Sequence, residues 1–199
     1  MLETRAFLFY MRPIYILILA SLTLLSCVNS NENELAEQIF KELQPEQAYV
    51  LVDINNERFY PEVSRFIGNI NLGSNYSDIN IIDQYGGNIQ LQMSKNNWLQ
   101  NDEMIFKVSP NTSMAYPNYG SMLIGRKNAK KLEGYILSRA IYKWTILNKR
   151  KAILKFEGYI VRPQDAVMPE NEISLKGTVY FKQPHIDLND LDAKILEIN

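Results

Sequence analysis

From residue 48 onward, apolar and polar residues alternate with a period of two in short segments that turn-forming residues separate. This period is typical of β-strands that bury one face, because successive side chains of an extended chain point in opposite directions. The clearest segment covers residues 173–181, where Ser174, Lys176, Thr178 and Tyr180 share the polar face. Its apolar face carries Ile173, Leu175, Val179 and Phe181.

The same alternation predicts several further strands. They cover residues 49–54, before a turn at Asn55 and Asn56, and then residues 88–93, 104–108 and 193–198. A long hairpin is predicted from arms at residues 135–147 and 152–161, with Ala140, Tyr142, Trp144 and Ile146 on one face of the first arm. No alternation of strands and helices indicates a parallel sheet. The chain is therefore expected to be mainly β, as an antiparallel β-sandwich or an open barrel.

One short helix is predicted ahead of these strands. Leu35, Ile39 and Leu43 recur at helical spacing, good helix formers fill the positions between them, and Pro45 ends the segment. The single β-rich domain is predicted to cover residues 35–199.

The first 26 residues have the pattern of a secretory signal peptide. Arg12 supplies a positive charge, and residues 14–25 form a mostly apolar run that is too short to cross a bilayer. Met11 directly precedes Arg12 and is an alternative start of translation, since residues 1–10 add the acidic Glu3.

The sequence Leu24-Leu25-Ser26-Cys27 resembles the lipobox of bacterial lipoproteins. The resemblance implies cleavage after Ser26, diacylglycerol on the thiol of Cys27, and a flexible tether over residues 27–34. The alternatives are an uncleaved signal anchor and a cleaved leader with Cys27 unmodified.

The mature part looks like the small β-sandwich lipoproteins of unknown role in Bacteroidota. A lipid-anchored position in the cell envelope is expected. The outer membrane is favoured, with a periplasmic or a surface-exposed face left open. Val28 replaces the aspartate that retains enteric lipoproteins in the inner membrane.

Composition argues against an enzyme. The chain contains one cysteine, Cys27, and one histidine, His185, which leaves no Cys/His zinc site and no obvious catalytic triad. The acidic segment Asp187 to Asp192 lacks the glycine of an EF-hand loop. No metal or cofactor is expected, and the near-neutral net charge of −1 gives no reason to expect nucleic-acid binding.

Two features remain as candidates for binding a partner. The segment from Arg126 to Lys155 holds ten basic residues and one acidic residue, and its turn carries Lys149, Arg150 and Lys151. The loop at residues 110–120 combines Asn, Ser and Gly with Tyr116 and Tyr119, which is typical of adaptable binding loops. The expected function is a non-catalytic module for a glycan or a protein partner. The alternatives are an accessory envelope lipoprotein acting through the basic segment, and more remotely a hydrolase.

Overall fold

The computed structural model describes residues 32–100, 105–108, 119–128, 131–166 and 169–197. The signal peptide, Cys27 and Tyr116 lie outside the described residues. Backbone contacts divide the chain into two units, Met1–Glu42 and Leu43–Asn199. The described part of the first unit is one helix, α1, at residues 32–42, which confirms the predicted short helix.

The described part of the second unit consists mainly of β-strands. Short 3₁₀ turns lie at Trp98–Gln100, Pro163–Asp165, Pro169–Asn171 and Ala193–Leu196. The strands are β1 (Gln47–Ile54), β2 (Glu57–Arg58), β3 (Phe66–Gly73), β4 (Tyr76–Asp83), β5 (Asn88–Ser94), β6 (Ile105–Val108), β7 (Tyr119–Asn128), β8 (Lys131–Leu147), β9 (Lys151–Val161), β10 (Ile173–Lys182) and β11 (His185–Leu188).

Eight of these strands form a closed antiparallel barrel. In chain order, β1, β3, β4, β5, β7, β8, β9 and β10 each pair with the next strand, and β10 pairs with β1 to complete the ring. Of the remaining strands, β2 pairs antiparallel with β1, β6 pairs antiparallel with β8, and β11 pairs parallel with β3. The mainly β, antiparallel prediction is confirmed, and of its two alternatives the barrel is the one that forms. Closure satisfies the strand edges that an open barrel would leave unpaired.

Side chains fill the described part of the barrel interior, as expected for a ring of eight strands. The largest fully buried residues include Trp98, Trp144, Tyr142 and Phe66. Because the interior is a packed core, polar recognition has to take place on the outer faces of the strands or at the loops.

Two local predictions were wrong. A register shift between Trp144 and Ile146 in β8 interrupts the alternation, so that Leu147 is buried in place of Ile146. A bulge adds one residue to a strand and turns the following side chains to the opposite face. The segment predicted as the last strand instead forms the 3₁₀ turn Ala193–Leu196. Asp192 Oδ1 caps this turn by accepting a hydrogen bond of 3.0 Å from the backbone N–H of Lys194.

Candidate functional site

One outer face of the barrel carries mostly uncharged hydrogen-bonding side chains. It extends over five neighbouring strands in the order β11, β3, β4, β5 and β7. We call it the amide face. Its members are Asn69, Asn71, Tyr76, Asp78, Asn80, Gln90, Gln92, Ser94, Tyr119, Ser121 and Asp187.

Strand alternation places these side chains outward. In β4 and β5, they occupy the positions between the buried Ser77, Ile79, Ile81, Ile89 and Leu91. Strand pairing then aligns them in rows that cross the sheet, because paired residues on adjacent strands share a face. The central row reads Asp187, Asn71, Asp78, Gln92, Ser121 from β11 to β7.

The charge of this face differs from that of an ordinary solvated sheet. Solvent-facing strand positions commonly carry lysine, and edge strands especially so. None of the residues of the amide face is Lys or Arg. Its charged members are the carboxylates of Asp78 and Asp187, and Asp187 lies 3.2 Å from Nε2 of His185.

Asp78 occupies the centre of the amide face and is only partly exposed. Its Oδ1 atom is covered by neighbouring atoms and has no hydrogen-bond partner among the described residues. Burial raises the pKa of the Asp78 carboxyl to about 6. A buried carboxylate oxygen without a donor destabilises the fold. Among the described residues, Ser77 Oγ, Tyr142 Oη and Trp144 Nε1 are also without a partner, but these residues are fully buried, whereas Asp78 is partly exposed on the outer face.

Tyr76 provides a flat ring beside Asp78. The ring lies directly over Gly73 on the paired strand, where any Cβ would collide with it. Tyr76 Oη accepts a hydrogen bond of 2.6 Å from Asn189 Nδ2. From inside the barrel, Trp98 Nε1 donates to the carbonyl of Gly73 at 2.9 Å. The ring is therefore held on the sheet surface by its neighbours.

A shallow depression of about 400 Å³ joins these groups, and its lining includes Asn71, Tyr76, Asp78 and Gln92. The amides around it are already ordered, since Asn69 Nδ2 donates to Asn71 Oδ1 at 3.0 Å. The site thus combines hydrogen-bond donors, acceptors and an aromatic surface within one concave area.

Two larger depressions, of about 520 and 530 Å³, lie over β8–β10 and beside the β1–β2 hairpin. Arginine and glutamate side chains in the linings of these depressions form ion pairs. Arg126 pairs with Glu133 at 2.7 Å, and Arg139 pairs with Glu172 at 2.8 Å. Burial by itself raises the pKa of Glu133, but the hydrogen bonds from Tyr135 and Arg126 outweigh this effect and hold the pKa below its ordinary value. Satisfied ion pairs of this kind serve the fold, so the smaller depression is the better candidate for a binding site.

No family model, curated protein or solved structure matches this chain. Function therefore has to be inferred from the residues of the site. Within the described ranges, no helix is long and apolar enough to cross a membrane. The same ranges contain no cluster of three or more His, Cys, Asp or Glu residues that could hold a metal ion.

The predicted binding residues fall in different places. Tyr119 was predicted to lie in a loop, and this was wrong, because it begins β7 on the amide face, opposite Ser94. Lys149 and Arg150 lie in the β8–β9 turn and Lys151 begins β9, away from the strands of that face. Lys149 Nζ lies 3.9 Å from Glu197 Oε1.

Sequence reasoning missed Asp78 and Tyr76. The regular Asn88, Gln90, Gln92 series was visible in the sequence, and it was the available signal for an amide-rich outer face.

Proposed function

We propose that this protein is a non-catalytic glycan-binding module that a lipid on Cys27 holds at the cell envelope. The observation that carries the binding role is the half-buried Asp78, with an unpartnered carboxylate oxygen, at the centre of a field of amides. The lipobox-like sequence ending at Cys27 supports the position in the envelope.

The chemistry of the amide face matches that of sugar hydroxyls. Each hydroxyl both donates and accepts hydrogen bonds, and a carboxamide side chain offers two donors and an acceptor. Neighbouring strands repeat such groups about every 4.8 Å across the sheet. The exposed Gln92 side chain lies opposite Asp78, and a ligand hydroxyl can donate to the exposed part of the Asp78 carboxylate beside it. Hydrogen bonds to an ionised acceptor are about twice as strong as neutral ones.

The Tyr76 ring supplies the apolar part of the contact. A sugar ring exposes C–H groups on its faces, and a fixed aromatic ring can pack against them without losing much conformational freedom. Because Gly73 leaves space beneath the ring, the tyrosine lies flat beside the polar groups. Polar groups beside a flat aromatic ring are better suited to bind a polysaccharide chain than to bind an apolar ligand.

Replacing Tyr76 by alanine is expected to weaken glycan retention by about 10-fold, because the lost aromatic contact is worth roughly 1 to 1.5 kcal/mol. Affinity electrophoresis in gels containing single polysaccharides measures this. Thr178→Ala, on an outward position of β10, is the matched control and should migrate as the wild type does. If Lys149→Ser with Arg150→Ser abolishes retention while Tyr76→Ala leaves it intact, the basic segment rather than the amide face is the binding surface.

The envelope position has its own test. Cells that express the full chain and are fed a labelled fatty acid should incorporate label into the wild-type protein and none into Cys27→Ser. The wild type should also sediment with membranes, because acyl chains contribute about 0.8 kcal/mol per buried methylene. Label-free wild-type protein, or a Cys27→Ser variant that sediments equally, would mean that Cys27 carries no lipid.

A further inference from the structure

The charges that surround Asp78 restrict which glycans the amide face can accept. In the strand register, Asp78 lies opposite Asn71 on β3 and opposite Gln92 on β5, and both of these side chains are uncharged. The raised pKa of Asp78 is caused by burial alone, without a contribution from a neighbouring charge. A half-buried carboxylate at the centre of the face is therefore not neutralised by an adjacent cation.

The titratable groups on the surrounding elements do not supply that cation. On β11, His185 lies against Asp187, and the Asp187 carboxylate accepts from Asn69 at 3.4 Å. In the segment after β11, Asp190 is bound by the hydroxyl and backbone N–H of Ser74. Lys95, which follows β5, has interactions of its own, and no charged neighbour contributes to the raised pKa of Asp78.

We infer that the amide face, if it binds glycans as proposed above, selects uncharged glycans and rejects uronate-containing ones. The ionised, partly exposed carboxylate of Asp78 is a strong acceptor for a sugar hydroxyl. A uronate carboxylate in the same place adds a second negative charge at short range, and no described guanidinium or ammonium group contributes to the pKa of Asp78 or offsets that charge. Repulsion of this kind lowers affinity by about 10-fold or more where solvent screens the pair only partly.

Protonation of Asp78 gives the two ligand classes opposite pH profiles. Above the pKa of about 6 the carboxylate is ionised, so that it binds hydroxyls most strongly and repels uronates most strongly. Below that pH the carboxyl is neutral, the strong acceptor is lost and the repulsion disappears. Affinity for an uncharged glycan should rise between pH 5 and pH 8, and affinity for a uronate should fall over the same interval.

The experiment compares matched hexasaccharides by titration calorimetry at pH 5 and pH 8. The probes are gluco-, manno- and galacto-hexaoses and the corresponding glucuronate, mannuronate and galacturonate oligomers. The wild type should prefer the uncharged member of at least one pair by 10-fold or more at pH 8, and the preference should shrink at pH 5. In Asp78→Asn, which keeps the side-chain shape, the preference should no longer depend on pH. Thermal unfolding of both proteins at both pH values checks that the variant is folded.

The possible outcomes distinguish a failure of the proposed selectivity from a failure of glycan binding. Uronates bound as tightly as uncharged sugars at pH 8, at a site that Tyr76→Ala eliminates, overturn the selectivity and leave the glycan-binding role standing. A pH dependence that persists unchanged in Asp78→Asn also overturns it, since another group is then responsible. Binding of neither class at either pH overturns the glycan-binding role, and the selectivity with it.

Discussion

Replacing Trp98 by alanine is expected to lower the free energy of unfolding by about 4 kcal/mol, the middle of the range for buried tryptophans. The Trp98 side chain is fully buried in the core of the barrel. Its removal leaves a cavity and strips the Gly73 carbonyl of its donor. Urea unfolding followed by far-ultraviolet circular dichroism measures the loss, since Trp98 is one of the two tryptophans and fluorescence would change with the substitution.

The variant Trp98→Phe separates the two contributions. It keeps most of the packing and removes the hydrogen bond, so that a loss of about 1 kcal/mol is expected. Because Gly73 lies under the Tyr76 ring, the position of Trp98 also links the core to the amide face. A loss below 1 kcal/mol for Trp98→Ala would show that this residue is not part of the core.

The second large effect is expected at Asp83, the buried carboxylate at the end of β4. Replacing it by alanine should lower the free energy of unfolding by about 3 kcal/mol, because several buried donors lose their acceptor. Asp83 Oδ2 accepts from Ser64 Oγ at 2.7 Å, and Oδ1 accepts from the backbone N–H groups of Tyr85 and Gly87 at 3.0 and 2.5 Å. These bonds tie the β4–β5 turn to the segment that precedes β3.

Ser64→Ala is the control for Asp83→Ala, because it removes one of these donors and keeps the carboxylate. It should lower the free energy of unfolding by about 1 kcal/mol. Equal losses for the two variants would contradict the view that Asp83 organises the turn. Both can be measured in the denaturation experiment used for Trp98.

Asp83 and Asp78 differ in the number of hydrogen-bond donors that surround their carboxylates. Each carboxylate lies on β4, but Asp83 is surrounded by donors and Asp78 Oδ1 has none among the described residues. Groups that destabilise a fold without compensation are typical of binding and catalytic sites. The satisfied aspartate stabilises the fold, and the unsatisfied one is the residue on which the proposed binding role rests.

Much of the barrel was predictable because its strands alternate locally. The segment before Asn55 and Asn56 was recognised as a strand, and the two asparagines adopt positive φ angles of 53° and 64°, as a tight hairpin turn requires. The strands β2, β3, β4, β7 and β11 were not predicted. In β3, Gly68 interrupts the apolar pattern and has a φ of 154°, a conformation that a strand rule does not anticipate.

The site was less predictable, because its members come from distant parts of the chain. Asp187 lies beside Asn71 through the parallel pairing of β11 with β3, and the two residues are separated by more than half of the sequence. Tyr119 was identified as a candidate from its loop-like composition, but its neighbours on the amide face could not be inferred from its position in the sequence.

The sequence by itself determined the strand period, the short helix and the mainly β class, because each depends on neighbours a few residues apart. The lipid anchor on Cys27 remains a prediction from the sequence. The tertiary structure alone decided that the ring closes, that the interior is filled with side chains, and that hydrogen-bonding side chains from five strands form one face around Asp78. These properties depend on strand order and register, which are set by long-range packing and pairing and cannot be read from a local pattern.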